Sequence, residues 1–216
     1  TGVALLVVAG VTAVVLTNGS SPADSGDRSA DQSSPAPTTG TAAATSPTSK
    51  RPVPVAALPD LLLNPAELSS TLGSPPLTLV NDETAMWDDT IADKDCNSVV
   101  IVNSRSDYAG SGYTAIRWQG AKDTKDDNFT WDVGQTVVAF PQAADAQAYV
   151  DRATKVWRAC ANRTVNVRPS KDTGPATLWQ LGPVDYGDGI MSTVRTPAGP
   201  GNWMCEEGLS ARDNVA

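Results

Sequence analysis

Every aromatic residue of this chain lies beyond Ala57. Six Trp, four Tyr and two Phe fall between Trp87 and Trp203. Large apolar side chains supply most of a packed core, so a core can form only from roughly the last three quarters of the 216 residues. What precedes divides in two. Gly2 to Leu16, GVALLVVAGVTAVVL, carries no charge, and Thr12 is its only polar side chain. At about 1.5 Å per residue it falls short of the roughly 30 Å hydrocarbon core. The chain begins with Thr1, so the span is expected to continue upstream. A cleaved signal peptide would need a basic leading region and a small-residue cleavage site. A lipoprotein would need a cysteine closing the apolar run, and the first is Cys96. A core helix would not be followed by a long polar tether. The reading is a transmembrane anchor over residues 1–17, truncated at its N-terminus.

Residues 18–57 are Ser, Thr, Pro, Ala and Gly with scattered charges; Asp24, Asp27 and Asp31 are balanced by Arg28, Lys50 and Arg51. Six prolines and no aromatic leave nothing to repay the entropy of ordering. This is a disordered linker, either an O-glycosylated stalk or an unmodified tether.

Residues 58–216 form the globular domain. Asn64-Pro65-Ala66-Glu67 reads as N-cap, N1 proline and a glutamate reaching back, with the helix ending near Gly73. Ala146, Tyr149, Val150, Ala153, Val156, Trp157 and Cys160 make one apolar stripe on a helix from Gln142 to about Ala161. Strands are expected at 97–102, 113–120, 131–140, 164–168, 176–181, 190–196 and 202–209, separated by Gly/Pro/Asp turns. Strands in runs favour an α+β fold, a mostly antiparallel sheet with packed helices, preceded by the transmembrane helix and the disordered linker. The final segment, 209–216, has no stop signal, and a C-terminal truncation is expected there as well.

The chemistry is narrowly provisioned. The formal charge is −8, which repels phosphate backbones and disfavours nucleic acid as a partner. With no histidine there is no Ser-His-Asp or Cys-His machinery and no His-ligated metal. Three cysteines cannot make a four-thiolate zinc site. The acidic loop Asp88, Asp89, Asp93, Asp95 lacks the spacing and the glycine of a calcium loop, and so does the stretch around Asp123 and Asp126. Gly110-Ser111-Gly112 is no nucleophile elbow, and Gly187-Asp188-Gly189 and Gly199-Pro200-Gly201 are no nucleotide loops; all three read as turns. No catalytic residue, metal or cofactor is therefore expected in this chain. An extracellular hydrolase working through two carboxylates remains as a third reading, with no spacing that selects the pair. Trp118 and Trp131, on neighbouring strands, are placed either in packing across the sheet or in lining a ligand cleft.

Several segments together carry a resemblance. Tyr108-Ala-Gly-Ser-Gly-Tyr-Thr-Ala-Ile-Arg117, Gln135-Thr-Val-Val-Ala-Phe-Pro141, the helix end Trp157-Arg-Ala-Cys160-Ala-Asn-Arg163, Gly201-Asn-Trp203-Met-Cys205 and Ala211-Arg-Asp-Asn-Val215 follow one another in order. Leu61 to Glu67 matches an opening helix. The set resembles the PknH-type extracellular sensor domain of mycobacteria, over about Leu58 to Ala216. The resemblance implies an antiparallel sheet with helices and a ligand cleft. It also implies a place outside transmembrane Ser/Thr protein kinases, or on short membrane-anchored proteins. It further implies a disulfide between Cys96 and Cys160, with Cys205 left unpaired and its partner beyond Ala216. The residues alone leave open three buried free thiols. The chain departs from the family at Trp131, where a histidine is frequent, and at Pro197-Ala-Gly-Pro200, where a glycine-rich segment is usual.

The resulting expectation is a membrane-anchored, single-pass, extracytoplasmic ligand-sensing domain, non-catalytic itself. It is read as the outer half of a receptor kinase or as a stand-alone cell-envelope binding protein. Its partners would be a small-molecule or cell-envelope ligand and the membrane, with no nucleic acid. Limited proteolysis is expected to cut freely within 18–57 and leave a resistant core starting near Leu58. Protection of Pro35 to Thr48 would contradict the three-part organisation.

Overall fold

The computed structural model describes the backbone of Thr12–Thr17 and residues 51–216 apart from Asp127 and Asn202. Their strands are β1 (Thr12–Thr17), β2 (Thr78–Glu83), β3 (Ala115–Lys122), β4 (Asp132–Ala139), β5 (Thr164–Asn166), β6 (Leu178–Gly187), β7 (Ile190–Pro197) and β8 (Met204–Ser210). They form one sheet in the order β2-β3-β4-β1-β8-β7-β6-β5, and every ladder is antiparallel. The helices are α1 (Pro65–Leu72), α2 (Asn97–Val100), α3 (Arg105–Tyr108) and α4 (Ala143–Cys160). The architecture is α+β, with helices on both faces of the sheet.

Local chemistry starts and stops α1. The Asn64 side chain accepts from the Ala66 and Glu67 amides at 3.0 and 3.1 Å, and Glu67 returns a bond to the Asn64 amide at 2.9 Å. Gly73 ends the helix in the left-handed region, at φ 64°, where only glycine escapes a Cβ penalty. Helix α1 covers one face of the sheet, where Leu68 and Leu77 pack on Ala121 and Val133. Beside it, the 3-10 helix Val55–Leu61 and Leu62 set Leu58 and Leu62 on Val137 and Ala139. Two buried amide side chains hold this layer down. Gln135 bonds both the amide and the carbonyl of Leu63. Asn214 does the same for Val53, and also donates to the Phe140 carbonyl. Val53 to Leu63, partly ahead of the boundary suggested by composition, is therefore packed onto this face.

The opposite face carries the main core. Ile116, Trp118, Val138, Leu181, Met191 and Leu209 of the sheet meet Tyr149, Val150, Ala153 and Trp157 of α4. The α4 stripe expected from the sequence is the buried face, although Val156 is only partly covered. The segment 97–102 differs from expectation: residues 97–100 form one turn of helix, not a strand. Four residues are too few to display a period, and tertiary bonds decide. Asn97 accepts the Ile91 amide at 2.9 Å and donates to Asp107 at 2.6 Å, while Trp157 donates to the Ser98 carbonyl at 3.1 Å.

The transmembrane helix expected over 1–17 and the linker over 18–57 fall mostly outside the described residues. Thr12–Thr17 is extended in β1, between β4 and β8. No helix among the described residues is long and apolar enough to cross a membrane. The chain's last residues enter the same lane: Val138 and Ala216 exchange two backbone bonds, at 2.7 and 2.9 Å.

Cys96 and Cys160 are bonded, with their Cα atoms 5.8 Å apart, and Cys205 is a buried free thiol. The closed loop spans 64 residues. Replacing both bonded cysteines by serine is expected to cost about 4 kcal/mol, by the loop-entropy relation. Denaturant titration of the reduced and oxidised chain checks this, and equal midpoints would contradict it.

Candidate ligand-binding site

Between β2 and β3 the chain makes a long excursion, residues 84–114, which holds α2 and α3 and packs over one end of the α4-side core. It contains the acidic loop, and the structure divides that loop's carboxylates. Asp88 pairs with Arg105 at 2.6 Å, Asp89 with Lys171 at 2.7 Å and Asp95 with Arg163 at 2.7 Å. Asp93 accepts the Asn166 amide at 2.7 Å. Each carboxylate holds a different neighbour, so the four do not converge on one point. Asp123 closes the β3–β4 hairpin by accepting from Thr130 and Trp131. Asp95, Cys96 and Cys160 do lie close together, but two of the three are the disulfide.

The tryptophans separate by face. Trp118 lies on the α4 side, at 8% exposure, with Trp87 edge-on at 4.8 Å. Trp131 packs beside Leu63 and Leu72 in the α1-side cluster. The two rings singled out in the sequence are thus on opposite sides of the sheet and do not meet. Trp157 is core, and Trp203 packs against Phe129 at 5.3 Å. Trp179 lies under the Arg195 guanidinium, 5.1 Å from its ring centre.

On β3 and β8 the α4-side core ends at Trp118 and Leu209. One register position further along comes a different row. Gly120 sits opposite Gly134, and Thr193 sits opposite Glu207. Val15 faces Val133 on one side and Glu206 on the other, which puts Gly134 and Glu207 in the adjoining row. The glycines let the Trp118 indole lie down: a Cβ at Gly120 would stand 3.3 Å from the ring, and one at Gly134 3.5 Å from Nε1. Glu207 is 1% exposed. Arg195 Nε lies 2.8 Å from its Oε1 but off the hydrogen-bond axis, so neither carboxylate oxygen receives a directed N–H. Burial raises Glu207 to about 7, with Arg195 opposing the shift. Burial likewise pushes the Cys205 thiol, opposite Arg195, up to about 12, so it is a thiol and not a thiolate nucleophile.

Sequence reasoning passed over Glu207 and Arg195. The available signal was alternation: Cys205, Glu207 and Leu209 share one strand face, and a charge between two buried apolar residues is out of pattern. A second buried acid, Asp107, is raised to about 6 by burial, partly offset by the Asn97 bond.

An antiparallel α+β domain stapled by a disulfide is a form suited to oxidising surroundings. The chain belongs to the family of PknH-like extracellular domains, which matches residues 53–216. It is 31% identical over 167 residues to the serine/threonine-protein kinase PknH of Mycobacterium bovis, covering 76% of this chain and 27% of that protein. It is 37% identical over 84 residues to the serine/threonine-protein kinase PknJ of Mycobacterium tuberculosis, covering 38% and 14%. The crystal structure of the extracellular domain of PknH from Mycobacterium tuberculosis matches with a TM-score of 0.70 at 30% identity, covering 76% of this chain and 84% of that one. The chain spans about a quarter of the length of the PknH kinases it matches.

Glu207 and Asp107 both titrate higher in the fold than their ordinary 4.5 and 3.8. The native state then holds protons that the unfolded chain has released, and stability falls as pH rises through the folded values. The melting temperature is expected to drop between about pH 5 and pH 8, and Glu207→Gln should flatten that slope. An unchanged slope in this variant would show that Glu207 is ionised throughout.

Proposed function

We propose that this chain is the ligand-sensing, extracytoplasmic part of a membrane-anchored receptor, and that it does not itself catalyse a reaction. Membership of a family of extracellular domains supports the location. The uncharged run Gly2–Leu16 supports a membrane anchor on condition that Thr12–Leu16 leaves the strand β1 it forms here. The kinase relatives support a cytoplasmic Ser/Thr kinase as the output module, a function that would reside outside these residues. Within this chain there is no histidine and neither an HRD nor a DFG motif, so the chain as given carries no kinase catalytic loop.

One observation carries the sensing reading. A buried carboxylate, Glu207, and the Arg195 Nε lie 2.8 Å apart but misaligned, at the edge of the α4-side core. Unmet buried polar groups are costly, and a bound ligand is one thing that repays them. A thermal-shift screen of the full chain tests the reading, because a ligand that binds the folded state raises its melting temperature by mass action. Assays for kinase, esterase and protease turnover are expected to be blank. Reproducible turnover abolished by a single Asp or Glu substitution would replace the sensor by the carboxylate hydrolase.

A further inference from the structure

Strand β1 lies in the middle of the sheet, yet residues 18–50 separate it from every other described residue. Its partners are set on both sides. Thr12, Ala13, Val14 and Val15 pair with Thr136, Gln135, Gly134 and Val133 of β4, and Val15, Leu16 and Thr17 pair with Glu206, Cys205 and Met204 of β8. Strands β4 and β8 share no ladder with each other. Without β1 they would stand two strand spacings apart, roughly 9.6 Å, too far for a backbone hydrogen bond. This part of the sheet is dry: Val133, Gln135, Cys205 and Glu207 are each at most 3% exposed. Unpaired N–H and C=O groups are costly there, so the lane between β4 and β8 needs an extended occupant. One end of the lane is already taken. Val215 and Ala216 pair with Ala139 and Val138, running the same way as β1. Thr12 stands opposite Thr136, so only the position opposite Val137 separates the two pieces.

We infer that β4 and β8 form a strand-binding lane for a six-residue extended peptide without acidic residues, and that Thr12–Thr17 is the displaceable ligand the chain carries for it. The sequence of this segment suits the lane, because Thr12, Val14, Val15 and Thr17 are β-branched and favour extended backbone. Carboxylates on β8 set the charge. Val15 stands opposite Glu206, whose carboxyl is pushed up by burial, and Glu207 is the next residue of the strand. An acidic guest residue at this position would bring a third carboxylate into a poorly solvated place. In the membrane-anchored form proposed above, residues 12–16 belong to the bilayer, where a lone strand cannot satisfy its backbone and a helix is required. The same residues cannot do both. Anchoring therefore empties the lane, and return of the segment to water refills it. The order of the sheet beside the α4 core then reports the position of the anchor. This coupling, and not the lane itself, rests on the anchor reading.

The test is amide hydrogen exchange of the full chain, read by mass spectrometry over β4, β8 and α4. In buffer, Val14→Pro removes a ladder donor from the middle of β1 and is expected to speed exchange of β4 and β8 about tenfold or more, with α4 still slow. Val15→Asp keeps every backbone donor and is expected to open the same two strands, so it decides the matter if the proline variant unfolds. A synthetic peptide of the sequence Thr-Ala-Val-Val-Leu-Thr, blocked at both ends, should restore slow exchange to either variant in a saturable way. The same peptide carrying Val15→Asp should not. In phosphatidylcholine vesicles the unaltered chain should exchange at β4 and β8 as the variants do in buffer. Slow exchange of both strands in both variants overturns the lane, and fast exchange that the peptide fails to reverse overturns its role as a binding site. Equal rescue by the acidic peptide overturns the charge selection. Slow exchange in vesicles that do take up residues 2–16 overturns the exclusion between membrane and sheet. Failure of the chain to bind vesicles overturns the anchor reading and the coupling with it, while the measurements in buffer still decide the lane.

Discussion

The bond between Cys96 and Cys160 is the constraint on which the α4 face depends. The excursion between β2 and β3 has little regular structure of its own, and its two helices are single turns. Such a segment buries too little to fix its own position. The disulfide ties its middle to the end of the longest helix, and Trp157 adds a bond to Ser98 next to it. From that point the excursion is laced to the β5 side, with Ala92 bonded to Arg168, Asp93 to Asn166 and Ser170 to Thr90. Its far end then delivers Trp87 onto Trp118 and Tyr108 onto Tyr149, where the two tyrosine rings stack at 4.2 Å.

The opposite face is held by different means. Residues 53–63 form no sheet strand, yet they lie across the sheet with their backbone satisfied. Asn214 and Gln135 each supply one amide group to the N–H and C=O of a single residue, Val53 and Leu63. A side-chain amide reproduces what a neighbouring strand would offer, and it does so where no strand is present. Both amides are almost fully buried, and loss of either would leave unpaired backbone groups in a dry interface.

At one end of the α4 face the buried side chains are no longer only apolar. There the sheet changes from interlocking hydrophobic side chains to glycines, an indole lying flat and a misaligned ion pair. A pair of this kind contributes little to stability, because desolvation offsets the Coulomb attraction.

Much of this was readable in the chain itself, because local interactions decided it. The Asn64 capping box, the Gly73 stop and the α4 stripe rest on contacts within a few residues, and sequence spacing reports those directly. Strand positions followed from alternation, to within a few residues. The strands not foreseen were β2, whose residues are mostly exposed and so lack a period, and β1, whose apolar run was read as a membrane span. The 97–102 segment was misread because bonds to Ile91, Asp107 and Trp157, far from any local pattern, set its conformation. Trp118 and Trp131 looked like partners on adjacent strands, but strand parity puts them on opposite faces, and parity needs the register that only the ladder defines. Glu207 and Arg195 became a pair only when β7 and β8 were aligned side by side. The sequence by itself determined which residues could form elements and which side of α4 is buried. The tertiary structure alone decided which polar groups face one another, because that depends on register between segments that no local interaction connects.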